Sequence, residues 1–169
     1  ALTMVVSLVT PIATQALGEH ATGQNIKDSQ GTVYMIKPNA NGVLERSPYT
    51  SAGAFLSYGF NSFSTVVDAN AADLSLPVGS FIPPQDGRVV CSDRGSDLGT
   101  CYLISNRQKA GFVSEDVFTG LGFSFENAIY GDISFLPTTS NIETASQAHL
   151  PGTIIMNNNT IQLVSNSGL

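Results

Sequence analysis

The hexapeptide Gly31–Ile36, which reads GTVYMI, is repeated further along the chain as GTCYLI at Gly99–Ile104. Each copy begins with a glycine that can form a turn and continues with β-branched and other apolar residues, which are typical of strands. The similarity extends beyond these stretches in both directions. Because self-similarity at a fixed period indicates a repeat architecture, this repetition decides the fold prediction.

Downstream of each hexapeptide, a second stretch matches in its aromatic residues and glycines. Residues 49–60 (YTSAGAFLSYGF) align with residues 112–123 (FVSEDVFTGLGF). A third copy starts near the end of the sequence and contains only the part that corresponds to the hairpin. Gly23, Gly87 and Gly152 occupy equivalent positions in the three copies, and their spacing predicts tandem units of about 65 residues.

These matches divide the sequence into five predicted segments. They are an apolar N-terminal assembly segment at residues 1–17, a linker at 18–22, repeat 1 at 23–84, repeat 2 at 85–140, and a partial repeat 3, a hairpin only, at 141–169.

Within each unit, the sequence predicts a β-hairpin, a short helix and a closing strand. In repeat 2, Arg88–Cys91 and Thr100–Ile104 are β-branched, apolar runs separated by Asp, Gly and Ser, a pattern typical of a hairpin. Ser114 can cap a helix that ends at Gly122, where a residue without a side chain suits a left-handed cap. We expect a repeat core that holds each helix on its hairpin and consists of Tyr34, Phe55, Phe60, Tyr102, Phe118 and Phe123.

The N-terminal segment at residues 1–17, ALTMVVSLVTPIATQAL, contains no charged side chain. Each buried aliphatic side chain is worth ~1.5–3 kcal/mol relative to exposure, so the segment needs burial in a membrane, in the chain's own core or among other copies. With Pro11 inside it, the segment is at or below the length of a membrane-spanning helix. It is also compatible with the end of a secretory signal peptide, cleaved after Ala16.

Of these alternatives we favour burial among copies of the chain. This interpretation suits a segment that is short for a membrane span and that, unlike a signal peptide, is not cleaved off. The residues expected to carry the assembly are Leu2, Met4, Val5, Val6, Leu8, Val9, Pro11, Ile12 and Leu17. We expect this segment to be a helix in preference to a strand; the alternative, favoured by its Thr, Val and Ile content, is a strand donated into a neighbour's sheet. The predicted fold is therefore α+β, an apolar N-terminal segment followed by tandem units of hairpin, short helix and strand.

The two cysteines, Cys91 and Cys101, lie ten residues apart in strand-like runs that a hairpin could bring together. A disulfide is the favoured interpretation, because metal sites usually need more nearby ligands, and reduced buried thiols are the alternative. A disulfide would indicate an oxidising, extracytoplasmic compartment.

Composition and motifs exclude or disfavour several functions. A formal charge of −6 and a pI near 4.6, with seven scattered Lys and Arg, argue against nucleic-acid binding. His20 and His149 are expected to be ordinary surface residues, and no catalytic or phosphate-binding motif is present. Asp93 and Asp97 are weak candidates for calcium ligands, since a solvated turn explains them equally. We therefore expect neither enzymatic activity nor a cofactor.

In layout, an apolar segment numbered from residue 1 and followed by a globular part resembles a type IV pilin, whose N-terminal helices bundle along the fibre axis. The chain departs from that family at Val5, where such pilins usually have Glu, and in the shortness of the segment. Separately, the G-T-x-Y-x-I and aromatic-x-S signatures of residues 23–169 are similar to tandem units in predicted secreted surface proteins of uncultured bacteria, which implies a surface location.

Together these features favour a structural subunit of an extracellular, cell-surface filament that polymerises with itself through its apolar N-terminus. The cell envelope or the surface of another cell would be a further partner. The alternative is an S-layer or adhesin-type surface repeat protein whose N-terminus is a residual signal peptide.

Overall fold

The computed structural model describes residues 18–167. Repeat 1 contains β1 (Asn25–Lys27), β2 (Val33–Pro38), β3 (Leu44–Pro48), α1 (Ala52–Ser57), β4 (Val67–Asp68) and α2 (Ala71–Ser75). Repeat 2 contains β5 (Val89–Ser92), β6 (Cys101–Ser105), β7 (Gln108–Gly111), α3 (Glu115–Gly120) and β8 (Ile129–Gly131). The last hairpin consists of β9 (Ile154–Asn157) and β10 (Thr160–Leu163), and short 3₁₀ helices lie at Phe63–Thr65, Gly95–Asp97 and Phe125–Asn127.

The two complete repeats contain four-stranded sheets of the same topology, β3-β2-β1-β4 and β7-β6-β5-β8. In each sheet the first three strands pair antiparallel, and the last strand pairs parallel to the first, with Val67 opposite Ile26 and Ile129 opposite Val90. β9 and β10 form a separate two-stranded sheet. The predicted tandem repeats are thus confirmed as β-sheet repeats.

The α+β prediction is wrong, because the described part of the chain is mostly β. Its α-helices have only five or six residues each, too few to form a helical layer. The sequence interpretation also missed the third strands, β3 and β7. They contain Glu45 and Lys109, residue types depleted from strands, but Glu45 pairs with Lys37 at 2.7 Å and Lys109 with Asp97 at 2.8 Å.

The prediction that the N-terminal segment is a helix in preference to a strand, and all of its assembly residues, lie outside the described residues. The predicted linker at residues 18–22 contains no helix or strand, and β1 begins after it at Asn25.

Local sequence explains where the short helices begin and end. The Ser51 hydroxyl accepts a hydrogen bond from the Ala54 N–H (3.0 Å), and Ser114 accepts one from the Val117 N–H (3.3 Å). Beyond the helices, Gly59 and Gly122 have φ angles of +86° and +84°, in the left-handed region that favours glycine.

An aromatic cluster holds each helix on its sheet, with nearly the same geometry in both repeats. In repeat 1, Tyr49 meets Phe55 edge-on at 5.3 Å between ring centroids, and Phe63 stacks on Phe55 at 4.6 Å. In repeat 2 the corresponding distances are 5.0 Å for Phe112 and Phe118, and 4.3 Å for Phe118 and Phe125.

The structure buries the predicted core residues to different degrees. Phe55, Phe118 and Tyr34 are buried, whereas Phe60, Phe123 and Tyr102 are partly buried beside them. Tyr34 and Tyr102 lie in equivalent positions under a cation, Arg46 or Lys109, which sits 4.9 Å from the ring centroid in both cases.

The repeats contact one another through glycines. α1 packs on β8, where a side chain at Gly53 would overlap the backbone of Tyr130. The turn at Gly87 lies against the turn at Gly152 so closely that a Cβ on Gly87 would overlap the Gly152 carbonyl group. No side chain larger than hydrogen fits at these junctions without movement of the backbone.

Candidate functional site

The hairpin of β9 and β10 presents an uncovered apolar face. Ile154 lies opposite Leu163, and Met156 lies opposite Ile161, so all four side chains project from one side of the sheet. Their exposed fractions lie between 63% and 72%. Adjacent exposed apolar side chains of this kind are usually covered by further polypeptide, of the same chain or of a partner.

The corresponding face of repeat 2 is covered. Gly152 matches Gly87, and the same hydrogen bond closes both hairpins, from the Gly87 N–H to the Ile104 carbonyl at 2.7 Å and from the Gly152 N–H to the Val164 carbonyl at 2.8 Å. By this register, Ile154 and Leu163 correspond to Val89 and Leu103. Val89 and Leu103 are buried in a cluster to which β7 and α3 contribute Ala110, Val117 and Phe118. Among the described residues, no counterparts of Ala110, Val117 and Phe118 cover the equivalent face of the last hairpin.

A groove of about 590 Å³ lies between this hairpin and repeat 2. Its apolar wall includes Val89, Phe123, Ile154 and Leu163. Thr153 also lines it, is 3% exposed, and its Oγ1 has no hydrogen-bond partner in the described part of the chain. A buried hydroxyl without a partner costs free energy.

The predicted disulfide is confirmed. Cys91 on β5 and Cys101 on β6 are directly opposite one another and are bonded. The equivalent opposed residues in repeat 1 are Lys27 and Val33, so repeat 1 has no disulfide at this position.

The weak calcium candidates bind protein groups. Asp97 accepts hydrogen bonds from Lys109 Nζ (2.8 Å) and Tyr102 Oη (3.0 Å), and these contacts, led by that with Lys109, lower the pKa of Asp97. Asp93 pairs with Arg94 at 2.9 Å. Within residues 18–167, no group of three or more His, Cys, Asp or Glu is placed to hold a metal ion.

His20 is not the isolated surface residue that the sequence suggests. Its backbone N–H donates to Asp73 Oδ1 at 2.7 Å, and its ring Nδ1 lies 2.7 Å from Asp73 Oδ2. Since an ionised carboxylate can only accept, Nδ1 is the donor. Asn70 completes the cluster by donating from its N–H to Asp73 Oδ2 (2.7 Å) and from Nδ2 to the Gly18 carbonyl (2.9 Å).

This cluster, which we call the Asp73 clasp (Gly18, His20, Asn70 and Asp73), fixes the chain just after residue 17. Asp73 is fully buried. Burial alone would raise the pKa of Asp73, but the hydrogen bonds from His20 and Asn70 outweigh it and hold that pKa below its ordinary value. Both carboxylate oxygens of Asp73 accept hydrogen bonds from the chain itself, so we interpret the clasp as structural.

We expect Asp73→Asn to flatten the dependence of stability on acid pH. A carboxyl whose pKa is lower in the folded state contributes stability above its unfolded pKa, near 3.9, and loses it as pH falls through the folded pKa. The variant should be less stable at pH 7 by about 1–3 kcal/mol, and this difference should shrink towards pH 2. Urea unfolding at pH 7, 4 and 2 measures it. Asp68→Asn, at an exposed carboxylate, is the control, and a difference that does not change with pH would contradict the expectation.

Sequence reasoning could not find two of these features: the contact between Asp73 and His20, and the exposure of the hairpin face. Asp73 lies 53 residues from His20, so no local pattern links them. The hairpin face was visible as an alternation of apolar residues, but its exposure depends on what covers it. In the described chain, His149 has a buried Nδ1 without a hydrogen-bond partner and is not joined to any other candidate residue.

The described residues contain no helix of the length and apolar character that a membrane span requires.

Comparisons with known proteins identify no family. No protein-family model and no curated protein matches the chain. It is weakly similar to a solved structure described as the periplasmic assembly from the ESX-5 inner membrane complex, at 12% sequence identity and a TM-score of 0.26. The alignment covers 86% of this chain and 52% of that chain, so the chain spans about half the length of its match. At this TM-score the similarity carries no functional argument.

Proposed function

We propose that the chain is a non-enzymatic structural subunit of an extracellular filament, which polymerises with itself through Ala1–Leu17. The observation that carries the proposal is the uncharged, apolar segment at residues 1–17, whose aliphatic side chains would be stabilised by burial among other copies.

The disulfide and the composition support the same assignment. Disulfides persist in oxidising compartments outside the cytoplasm, which favours an extracellular location. Only 12% of residues are charged, about half of the share that is usual for globular domains. A low share of charged side chains lowers the number of ions that contact between copies would have to bury, and this suits a protein that packs against itself.

The proposal predicts association that depends on protein concentration and on the N-terminal segment. We expect the full chain to form growing oligomers or fibres in sedimentation velocity and negative-stain microscopy. The chain without residues 1–17 should remain monomeric, and its circular dichroism should show that the β-sheets of the two repeats are folded. Monomers of the full chain at every concentration, or fibres of the shortened chain, would contradict it.

A further inference from the structure

We infer that a cleft between the two complete repeats binds an acidic saccharide, with the sugar ring on Phe81 and its carboxylate on Arg107. We call this the junction cleft; it is lined by Lys37, Tyr58, residues 80–86 and Arg107, and it has a volume of about 500 Å³. A volume of this size is within the range of ligand-binding cavities. The inference goes beyond the proposed function, since binding of a sugar does not require that the chain polymerises.

The aromatic side chains of the junction cleft are not required by the repeat fold. Tyr58 and Phe81 correspond to Leu121 and Asn141 in repeat 2, where the equivalent backbone pairings are formed without them. Phe81 is 65% exposed and contacts no other aromatic ring in the described part of the chain. An exposed aromatic ring in a cleft, at a position where the other repeat has a polar residue, is available for a ligand.

Hydrogen bonds fasten the wall of the junction cleft that connects the two repeats. Tyr58 Oη donates to the Pro83 carbonyl at 3.1 Å, and the Gln85 N–H donates to Ser57 Oγ at 2.9 Å. Between these bonds lies the buried Pro84, and two consecutive prolines with fixed φ angles restrict the backbone. A wall that is fixed before the ligand arrives loses little conformational freedom on binding.

Arg107 contributes a cation without a protein partner. Its guanidinium makes no hydrogen bond or ion pair with the described residues, whereas its backbone N–H donates to Asp86 Oδ1 at 3.0 Å. Burial raises the pKa of the Tyr58 hydroxyl, and the charges of Asp86 and Arg107 act on it in opposite directions, so both charges lie near this phenol. Arg107 has a φ angle of +60°, which glycine would adopt at less cost. Residues held in such backbone conformations cluster at ligand-binding sites.

The charges of the junction cleft favour a ligand that carries both a carboxylate and hydroxyl groups. Lys37 Nζ lies 2.7 Å from Glu45 Oε1, so Lys37 is already paired, and Arg107 is the cation that remains for a ligand carboxylate. A guanidinium binds a carboxylate through two parallel hydrogen bonds. The carboxylate of Asp86 can only accept hydrogen bonds, so it disfavours a wholly anionic ligand and favours one with hydroxyl donors.

An acidic sugar has each of these groups on one ring. Its carboxylate pairs with Arg107, its hydroxyls donate to Asp86 and accept from the Gln85 amide, and its C–H face packs on Phe81. A neutral sugar lacks the carboxylate, and an acidic peptide lacks the ring with its hydroxyls. These two ligands are therefore the comparisons in the test.

The test is isothermal titration calorimetry of the full chain with three probes, namely a hexamer of galacturonic acid, a hexamer of glucose and hexaglutamate. We expect the galacturonate hexamer to bind at least about tenfold more tightly than either of the others. The reason is that only this probe offers both the charge-assisted hydrogen bond and the ring contact.

Two pairs of variants locate the binding. Arg107→Gln and Phe81→Ala should each weaken binding of the galacturonate hexamer by about tenfold or more. Arg88→Gln is the control for the first, because Arg88 is an exposed arginine that lines a different groove. Leu98→Ala is the control for the second, because Leu98 is 68% exposed and lies outside the junction cleft. Both controls should bind like the unmodified chain, and circular dichroism checks that all four variants fold.

Arg107→Gly separates a role in binding from a role in folding. Glycine relieves the left-handed backbone angle, so this variant should unfold at a higher urea concentration than the unmodified chain, yet it should lose binding of the galacturonate hexamer. If Arg107→Gly unfolds at a lower urea concentration, the arginine stabilises the turn and is not kept for a ligand.

Three further results would overturn the inference. Equal binding of the glucose hexamer would show that no carboxylate is recognised, and preference for hexaglutamate would show that the ligand is not a sugar. Absence of binding by the galacturonate hexamer, or binding that Arg107→Gln leaves unchanged, would show that the junction cleft is not its site.

Discussion

Replacing Phe118 with alanine should lower the free energy of unfolding by about 3–5 kcal/mol. The Phe118 side chain is buried at the centre of the aromatic cluster of repeat 2, between the edge-on ring of Phe112 and the stacked rings of Phe123 and Phe125. Its removal leaves a cavity and takes from α3 the side chain that anchors it. A helix of six residues is not stable without such packing.

Phe125→Ala is the control for this variant. Phe125 stacks on Phe118 but is 44% exposed, so its loss should cost only about 1–2 kcal/mol. Urea unfolding of both variants measures the difference. The equivalent replacement in repeat 1, Phe55→Ala, should resemble Phe118→Ala, because Phe55 is buried in the same aromatic arrangement. Equal costs at Phe118 and Phe125 would show that the cluster does not anchor α3.

Gly87→Ala should be much more destabilising than Gly23→Ala, although the two glycines are equivalent in the repeat. Their φ angles are +82° and +87°, so alanine carries a backbone cost of about 1–2 kcal/mol at either position. The surroundings of Gly23 leave space for a Cβ, whereas at Gly87 a Cβ would overlap the carbonyl group of Gly152. The overlap should add about 1–3 kcal/mol and separate the last hairpin from repeat 2.

Urea unfolding gives the total cost of each glycine variant, and amide exchange locates it. In Gly87→Ala the amide protons of Gln162 and Val164, which bond within the hairpin, should exchange faster, while those of β2 should be unchanged. In Gly23→Ala the hairpin should keep its protection. Similar costs for both variants would contradict the expectation, since only the contact with Gly152 distinguishes them.

The features of the fold that the sequence revealed are those with strong local signals. The period followed from glycines such as Gly87 and Gly152, whose left-handed φ angles exclude most other residues. The disulfide followed from two cysteines in opposed strands. Ser114 and Gly122 bracketed the helix of repeat 2 because capping requires particular residue types.

The features that the sequence concealed depend on distant contacts. A closing strand was predicted after the helix, but the parallel pairing of β4 with β1, Val67 opposite Ile26, has no local signature. β3 and β7 carry charged residues whose partners lie outside those strands. The Asp73 clasp joins residues 53 positions apart. The α+β prediction failed because the short helices were visible in the sequence and the third strands, β3 and β7, were not.

The parallel pairing of the last strand with the first has a consequence for how the molecule acquires its structure. Val67 returns to Ile26, and Ile129 returns to Val90, so each four-stranded sheet is completed within its own repeat and needs no strand from the next. Contacts that close within one repeat keep the entropy cost of loop closure small and favour rapid folding. A chain emerging from a ribosome or a translocation channel could therefore complete repeat 1 before repeat 2 has appeared.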